Sequence, residues 1–288
     1  MKPNKAIIGL TLYLVAFATL FVSIAAPVDA AAPGLPLRDT APELGRAVGS
    51  TMGYFDYIDD SRLAQMTAEE YNMFTAEYTW KMRWFQPSQG NYDFRYGDEF
   101  MAYTAANGME MRGHTLVWHL GLPSWVTSPS RPWTRDQLLA VMEDHIKTVM
   151  GRYRGQVRYW DVVNEAITSS GGYRDTVWYD VIGPDYIEYA FRFAHEADPD
   201  AILYYNDFSA EEINAKSDGI YNMVRGLVER GVPIHGMGFQ AHTNVGRGFN
   251  VNSARQNIAR FTALGLEVQY TEAKFFYGFQ IMMENIHS

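Results

Sequence analysis

A chain of 288 residues suits one large domain or two small ones, and an α/β barrel of about 250 residues commonly forms a single domain. With 47% hydrophobic and only 20% charged residues the composition excludes a disordered chain, and a net charge of −9 argues against nucleic acid, whose binding relies on Lys and Arg. There are no cysteines, which excludes a disulfide framework, a metal thiolate and a thiol nucleophile.

In chain order, the N-terminus reads first as a signal peptide. Lys2 and Lys5 form a basic start, Ala6 to Ala26 is almost wholly apolar, and Val28-Asp29-Ala30 offers small residues for cleavage after Ala30. The expected layout is therefore a leader over 1–30 and a single domain over 31–288, exported from the cell. An uncleaved membrane anchor is the alternative, because the apolar run approaches the ~20 residues of a span. After a Pro-rich lead, short apolar strands alternate with amphipathic helices. The strands are expected at Ala47–Gly53, Met73–Tyr78, Glu110–Trp118, Val157–Val163, Ala201–Tyr205, Gly236–Gln240 and Leu266–Thr271. Between them, Thr134 to Gln137 forms a capping box that opens a helix running toward Gly151. Tyr186 to Ala197 is a helix closed by Pro199. Ile220, Met223, Val224, Leu227 and Val228 mark one face of another, ended by Gly231 and Pro233. Ser253 can cap a last helix that stops at Gly265. Repeated strand–helix units imply parallel strands. Seven in one run, with no Gly-rich phosphate turn, point to a (β/α) barrel, whose chemistry sits at the C-terminal strand ends.

Two carboxylates stand at such ends. Glu165 closes the fourth strand and Glu272 the seventh. A lone Glu at a strand end is usually a solvated rim residue, but glycoside hydrolysis needs two carboxyls, one to protonate the leaving oxygen and one to meet the developing oxocarbenium carbon. The third strand runs Arg112-Gly113-His114-Thr115-Leu116-Val117-Trp118-His119; strand alternation puts His114 and Trp118 on one face and His119 on the other. His could serve sugar hydroxyls and Trp an apolar wall, though a satisfied core histidine is equally consistent. Aromatics reach 15%, mostly as core, with some rings free to stack on sugar faces. Gln240-Ala241-His242 ends the sixth strand and Asn206-Asp207 follows the fifth; both are polar and unspecific. Glu77 and Lys81 could be a plain i, i+4 ion pair on a helix face. No HExxH or comparable metal triad is present.

Taken together these stretches resemble glycoside hydrolase family 10. Arg112 to His119 matches the family's third-strand signature and Trp160-Asp161-Val162-Val163-Asn164-Glu165-Ala166 its acid/base motif. Asn107-Gly108-Met109, Tyr204-Tyr205-Asn206-Asp207, Gly238-Phe239-Gln240-Ala241-His242 and Thr271-Glu272 occupy the family's places in order, over roughly Gly45 to Glu272. The resemblance implies a (β/α)8 barrel and an endo-β-1,4-xylanase with Glu165 as acid/base and Glu272 as nucleophile. Retention of configuration would set their carboxyls about 5–5.5 Å apart. It further implies that Asn164 bonds the 2-hydroxyl of the attacked sugar, that His114, Trp118, Asn206, Gln240 and His242 serve that region, and that Glu77 and Lys81 grip sugars on the glycone side. No metal or organic cofactor is implied; the partner is xylan or a xylo-oligosaccharide, and the chain is expected to act as a secreted monomer.

The sequence also departs from the family. Tyr78, Gly121, Phe208, Ser209 and His235 replace the family's usual Asn, Gln, Tyr, Asn and Asp. Lys274 stands two residues after Glu272, where the family carries an Asp that supports the histidine matching His242. The sequence printed here ends 16 residues after Glu272, where the family continues into an eighth strand and helix, so the expected barrel lacks that last unit. Two other readings follow: a xylan-binding remnant without turnover, or a retaining barrel glycosidase acting on cellulose or mannan.

Overall fold

The computed structural model describes residues 35–44, 46–242 and 248–271. The expected leader over 1–30, and Glu272 and Lys274, lie outside the described residues.

Seven strands are present: β1 (Gly49–Met52), β2 (Met73–Ala76), β3 (Glu110–Val117), β4 (Tyr159–Asn164), β5 (Ile202–Asp207), β6 (Gly236–Phe239) and β7 (Glu267–Tyr270). All are parallel, and each pairs with the next in sequence. A long helix follows each of the first six: α1 (Ser61–Glu70), α2 (Arg95–Ala106), α3 (Arg135–Arg152), α4 (Tyr186–Ala197), α5 (Ala215–Glu229) and α6 (Val251–Thr262). All seven strands fall where the alternation of apolar runs and turn signals put them. The largest shifts are of two residues: β1 and β4 start two residues later than expected, β2 ends two earlier, at Ala76, and β5 runs two further, to Asp207.

The sheet is curled. β3 and β7 are four strands apart, about 19 Å in a flat sheet. Yet Arg112 Nη1 on β3 donates to Gln269 Oε1 on β7 at 2.7 Å. Arg112 also lies 4.5 Å from the Tyr204 ring on β5, whose hydroxyl donates to Glu267 on β7 at 2.7 Å. Only strands wrapped around a common interior bring these side chains together, as in a (β/α)8 barrel whose first seven strands these are. Among the described residues no pairing joins β1 to β7.

The opposite faces of the strands are apolar and pack on the helices. Phe74, Trp160, Val162, Leu203, Met237 and Phe239 are essentially fully buried there. At the β3–β4 contact the fit leaves no room for a side chain: a Cβ on Gly113 would sit 2.2 Å from the Trp160 ring. That ring packs beside Trp80, which stacks on Tyr153 with centroids 4.9 Å apart.

Helix boundaries follow local capping. Thr134 Oγ1 accepts from Gln137 N–H at 3.3 Å and Gln137 Oε1 from Thr134 N–H at 3.1 Å, the box expected at the start of α3. A second box, between Asn214 and Ser217, opens α5. The expected Ser253 cap is corrected: Asn250 caps α6 by accepting from the Ser253 N–H at 3.1 Å. The Ser253 hydroxyl instead accepts from Ile213 N–H, across to the loop after β5. Asn is as good a cap as Ser and lies one turn earlier, so the helix starts there.

Candidate active site

The C-terminal strand ends surround a cleft of about 520 Å³. Glu77, Lys81, His114, Trp118, Asn164, Glu165, Gln240 and His242 all line it, so eight of the ten residues singled out from the sequence converge on one place. Glu272 lies outside the described residues. Asn206 is the exception: it is fully buried and does not reach the cleft. It supports the floor instead, its side-chain oxygen accepting from Thr271 Oγ1 at 2.7 Å.

Glu165 sits just past β4 with φ of 59°, a left-handed conformation rare for residues other than glycine. That turn lifts its side chain off the strand into the cleft, where it is 9% exposed. Gln240 Nε2 donates to Glu165 Oε1 at 2.9 Å, and His119 Nε2 stands 4.0 Å from Oε2. The neighbouring Asn164 amide is fully satisfied with Oδ1 accepting from the Trp118 indole at 3.2 Å and Nδ2 donating to the Asn206 carbonyl at 3.0 Å. Gln240 thus holds the Glu165 carboxyl, while Asn164 ties the Trp118 indole to β5.

β3 and β4 share a buried charge network. Asp161 is fully buried, accepting from Arg112 Nε at 3.0 Å and from Arg112 Nη2 at 2.5 Å. Its Oδ2 also faces His114 Nδ1 at 2.9 Å. Burial alone would raise this carboxyl, but Arg112 and His114 hold it down to about 2. A carboxylate on Nδ1 fixes the orientation of the His114 ring. Regular register brings these groups together, since His114 pairs with Asp161 and Arg112 lies two residues back on the same face of β3; beyond them β3 slips against β4 between His114 and Val117, and β4 against β5 between Asp161 and Val163. Asp161 and Asn164 then both face the interior, three residues apart, which unbroken alternation would forbid.

Two expectations are corrected. Glu77 and Lys81 are not on a helix face: Glu77 follows β2 directly, and Lys81 caps the short helix Met82–Phe85. Lys81 Nζ donates to the His114 carbonyl at 2.9 Å and Glu77 Oε1 accepts from Thr51 Oγ1 at 3.3 Å. His119 does not turn away from His114 and Trp118. β3 ends at Val117, so strand alternation no longer governs it; its ring packs edge-on against Trp118 at 5.7 Å, beside Glu165. Burial, and then Arg174, push its pKa below the ordinary histidine range.

Several residues were not legible as site components. Glu211 is buried, with a raised pKa caused by that burial, and accepts from the Ala241 N–H at 2.7 Å; this holds the turn that carries His242. Arg174, far along the loop after β4, donates to the Glu165 carbonyl at 2.9 Å. Neither lies in a strand-end motif, so no periodic signal could mark them. Arg83 and Trp84 extend the cleft wall beyond Tyr78, which is 53% exposed at its rim. Among the described residues no group of His, Asp and Glu is arranged to hold a metal ion.

The sequence profile described as "Glycosyl hydrolase family 10" matches residues 36–275. Among curated proteins, the chain is 44% identical over 240 residues to Endo-1,4-beta-xylanase B of Thermotoga neapolitana, covering 83% of this chain and 68% of that protein. It is 40% identical to Endo-1,4-beta-xylanase 1 of Humicola insolens, covering 83% of this chain and 53% of that one. Among solved structures, native xylanase 10B of Thermotoga maritima superposes with a TM-score of 0.79 at 46% identity, over 82% of this chain and 72% of that chain. Xylanase 10B of Thermotoga petrophila, solved in complex with xylobiose, gives 0.79 at 45% over the same shares. With the profile spanning most of the chain and these identities alongside it, the protein belongs to glycosyl hydrolase family 10.

Proposed function

We propose that this protein is an endo-1,4-β-xylanase that hydrolyses internal xylan bonds with retention of configuration. The observation that carries the reading is Glu165: a carboxyl held by Gln240 beside an indole wall, at the centre of a cleft furnished by several strand ends. Relatives named as xylanases, at 44% and 40% identity, support xylan as the substrate. In the first step Glu165 protonates the glycosidic oxygen while Glu272 attacks the anomeric carbon, giving a glycosyl-enzyme ester and releasing the other fragment with a new non-reducing-end hydroxyl; the new reducing end forms when the ester is hydrolysed. In the second, Glu165 takes a proton from water as the water's oxygen displaces Glu272. Two carboxyls and water complete this chemistry, and the reading calls on no metal or organic cofactor.

Asn164 is assigned to the 2-hydroxyl of the attacked sugar, His114 and Trp118 to its hydroxyls and apolar face, and Gln240 and His242 to the carboxyls. Glu77 and Lys81 are assigned to the sugar before it. Tyr78, at the rim beyond Glu77, narrows the distal end to a flat aromatic contact. The apolar segment over 6–26 supports export, with cleavage after Ala30.

The test is reducing-sugar release from soluble xylan, cellulose and mannan by the wild type and Glu165→Gln. Release from xylan alone, lost in the variant, is expected. Preference for cellulose or mannan would move the substrate assignment. A folded wild type that turns over none of the three would contradict the enzymatic reading.

A further inference from the structure

The backbone at Glu165 is gripped at three points. Its N–H donates to the Asn206 carbonyl at 2.9 Å, its carbonyl accepts from Arg174 Nε at 2.9 Å, and the next N–H, that of Ala166, donates to the Tyr205 hydroxyl at 2.9 Å. A left-handed non-glycine residue persists only where its surroundings over-determine it, so these contacts hold the conformation that aims the carboxyl. The first two are single contacts. The third is the end of a longer construction.

Tyr205 and Asp207 lie two apart on β5 and therefore share the face turned away from the barrel interior, opposite Tyr204 and Asn206. Both are fully buried. The Tyr205 hydroxyl donates to Asp207 Oδ2 at 2.6 Å while its lone pair accepts from Ala166. Asp207 Oδ1 accepts from the Phe208 N–H at 2.9 Å and lies 2.7 Å from Lys216 Nζ, in the first turn of α5. That ammonium, 2% exposed, makes no well-angled hydrogen bond and rests 3.2 Å from the centroid of the Phe208 ring; it acts as a buried counter-charge. Burial and the neighbouring Asp207 hold the Tyr205 hydroxyl well above the ordinary tyrosine range, so it stays protonated. A buried ion pair is poor value for stability alone, since apolar residues of similar volume often serve as well. Here it fixes the direction of one phenol, and that phenol ends on the peptide bond after Glu165.

We propose, resting on the xylanase reading above, that Tyr205 is a positioning residue for Glu165, oriented by the buried Asp207–Lys216 pair, and that it keeps the carboxyl in line with the glycosidic oxygen it must protonate. It touches neither substrate nor the carboxyl. Its loss should therefore damage proton donation selectively and leave binding and the Glu272 attack intact.

Aryl β-xylobiosides separate these effects. A dinitrophenolate leaves without a proton, whereas a phenolate requires one, so a misplaced acid slows only the second. Tyr205→Phe keeps the ring and removes the hydroxyl. The expected result is a fall of about 10²-fold in kcat/KM on the phenyl substrate, the scale of a misplacement near 1 Å. The dinitrophenyl substrate should change by less than about 3-fold, and KM on xylohexaose should hold. Asp207→Asn, isosteric but uncharged, should give a smaller loss of the same selectivity. Circular dichroism and urea midpoints establish that each variant is folded. Equal losses on both substrates, or none on either, would overturn the proposal, as would a finding that neither variant folds, which would make the chain a folding element only. Glu165→Gln is run beside them. If it lacks leaving-group selectivity, or if the wild type cleaves no xylobioside, the underlying assignment has failed instead.

Discussion

Glu165, the proposed acid, shows how local contacts aim a single side chain. Its position after β4 was legible because Asn164 and Glu165 close an apolar strand, but its φ of 59° and the Arg174 contact were not. Glu165→Gln should lower kcat on xylan by about 10²–10⁴-fold, the usual contribution of general acid–base catalysis, with little change in KM. The buried charges beneath the cleft make a second prediction. Arg112→Met leaves Asp161 ionised, fully buried and without its strongest partner, a loss of about 3–5 kcal/mol for one half of a buried pair. Urea unfolding measures it, and an unchanged midpoint would mean that His114 alone satisfies the carboxylate. Asp161 could not be read as part of the site, because its meeting with Arg112 and His114 depends on the β3–β4 register, which a pattern of apolar residues does not give. His119 was misplaced for a related reason: the alternation used to place it ends at Val117.

At the scale of elements, the sequence marked every strand, since each is a short apolar run between polar turns and helices. Cap signals set the helix ends within a residue or two, and failed only at α6, where two good caps compete within one turn. The close approach of β3 to β4 was hidden, because a glycine in a strand carries no sign of what it faces. Gly113→Ala puts a methyl group 2.2 Å from the Trp160 ring, so Trp160 or the strand must shift. We expect destabilisation of about 1–3 kcal/mol by overpacking, and reduced activity through His114 on the same strand. An alanine variant with wild-type midpoint and turnover would show that the ring moves freely.

For the whole molecule, three deeply buried groups contribute to the response to acid in different directions. His145 is held by burial at about 4 against an ordinary 6.5, so the unfolded chain takes up its proton first and stability is lost as pH falls across that window. Asp207, raised by burial to about 6 from 3.8, acts oppositely: the folded state takes the proton first, and stability is gained between those values on acidification. Asp161, held at about 2 below its usual 3.8, contributes stability that is lost as pH falls between the two. The first two oppose each other between pH 6 and 4, whereas the loss from Asp161 falls below 4, so the urea midpoint should drop more steeply below pH 4 than above it. His145→Gln removes the first, and its midpoint should rise on acidification through that upper range. A midpoint in the variant that falls as pH falls would contradict this assignment.

The stereochemistry of the first product tests the proposed pairing of Glu165 and Glu272 at the strand ends of the barrel most directly. Proton NMR of xylohexaose during its first turnovers by the wild type, before mutarotation, distinguishes the anomers at the new reducing end. Double displacement gives the β anomer first, and Glu165→Gln is expected to give no new reducing end within the same interval. An α anomer appearing first would contradict double displacement, and undiminished release by the variant would remove Glu165 from its role.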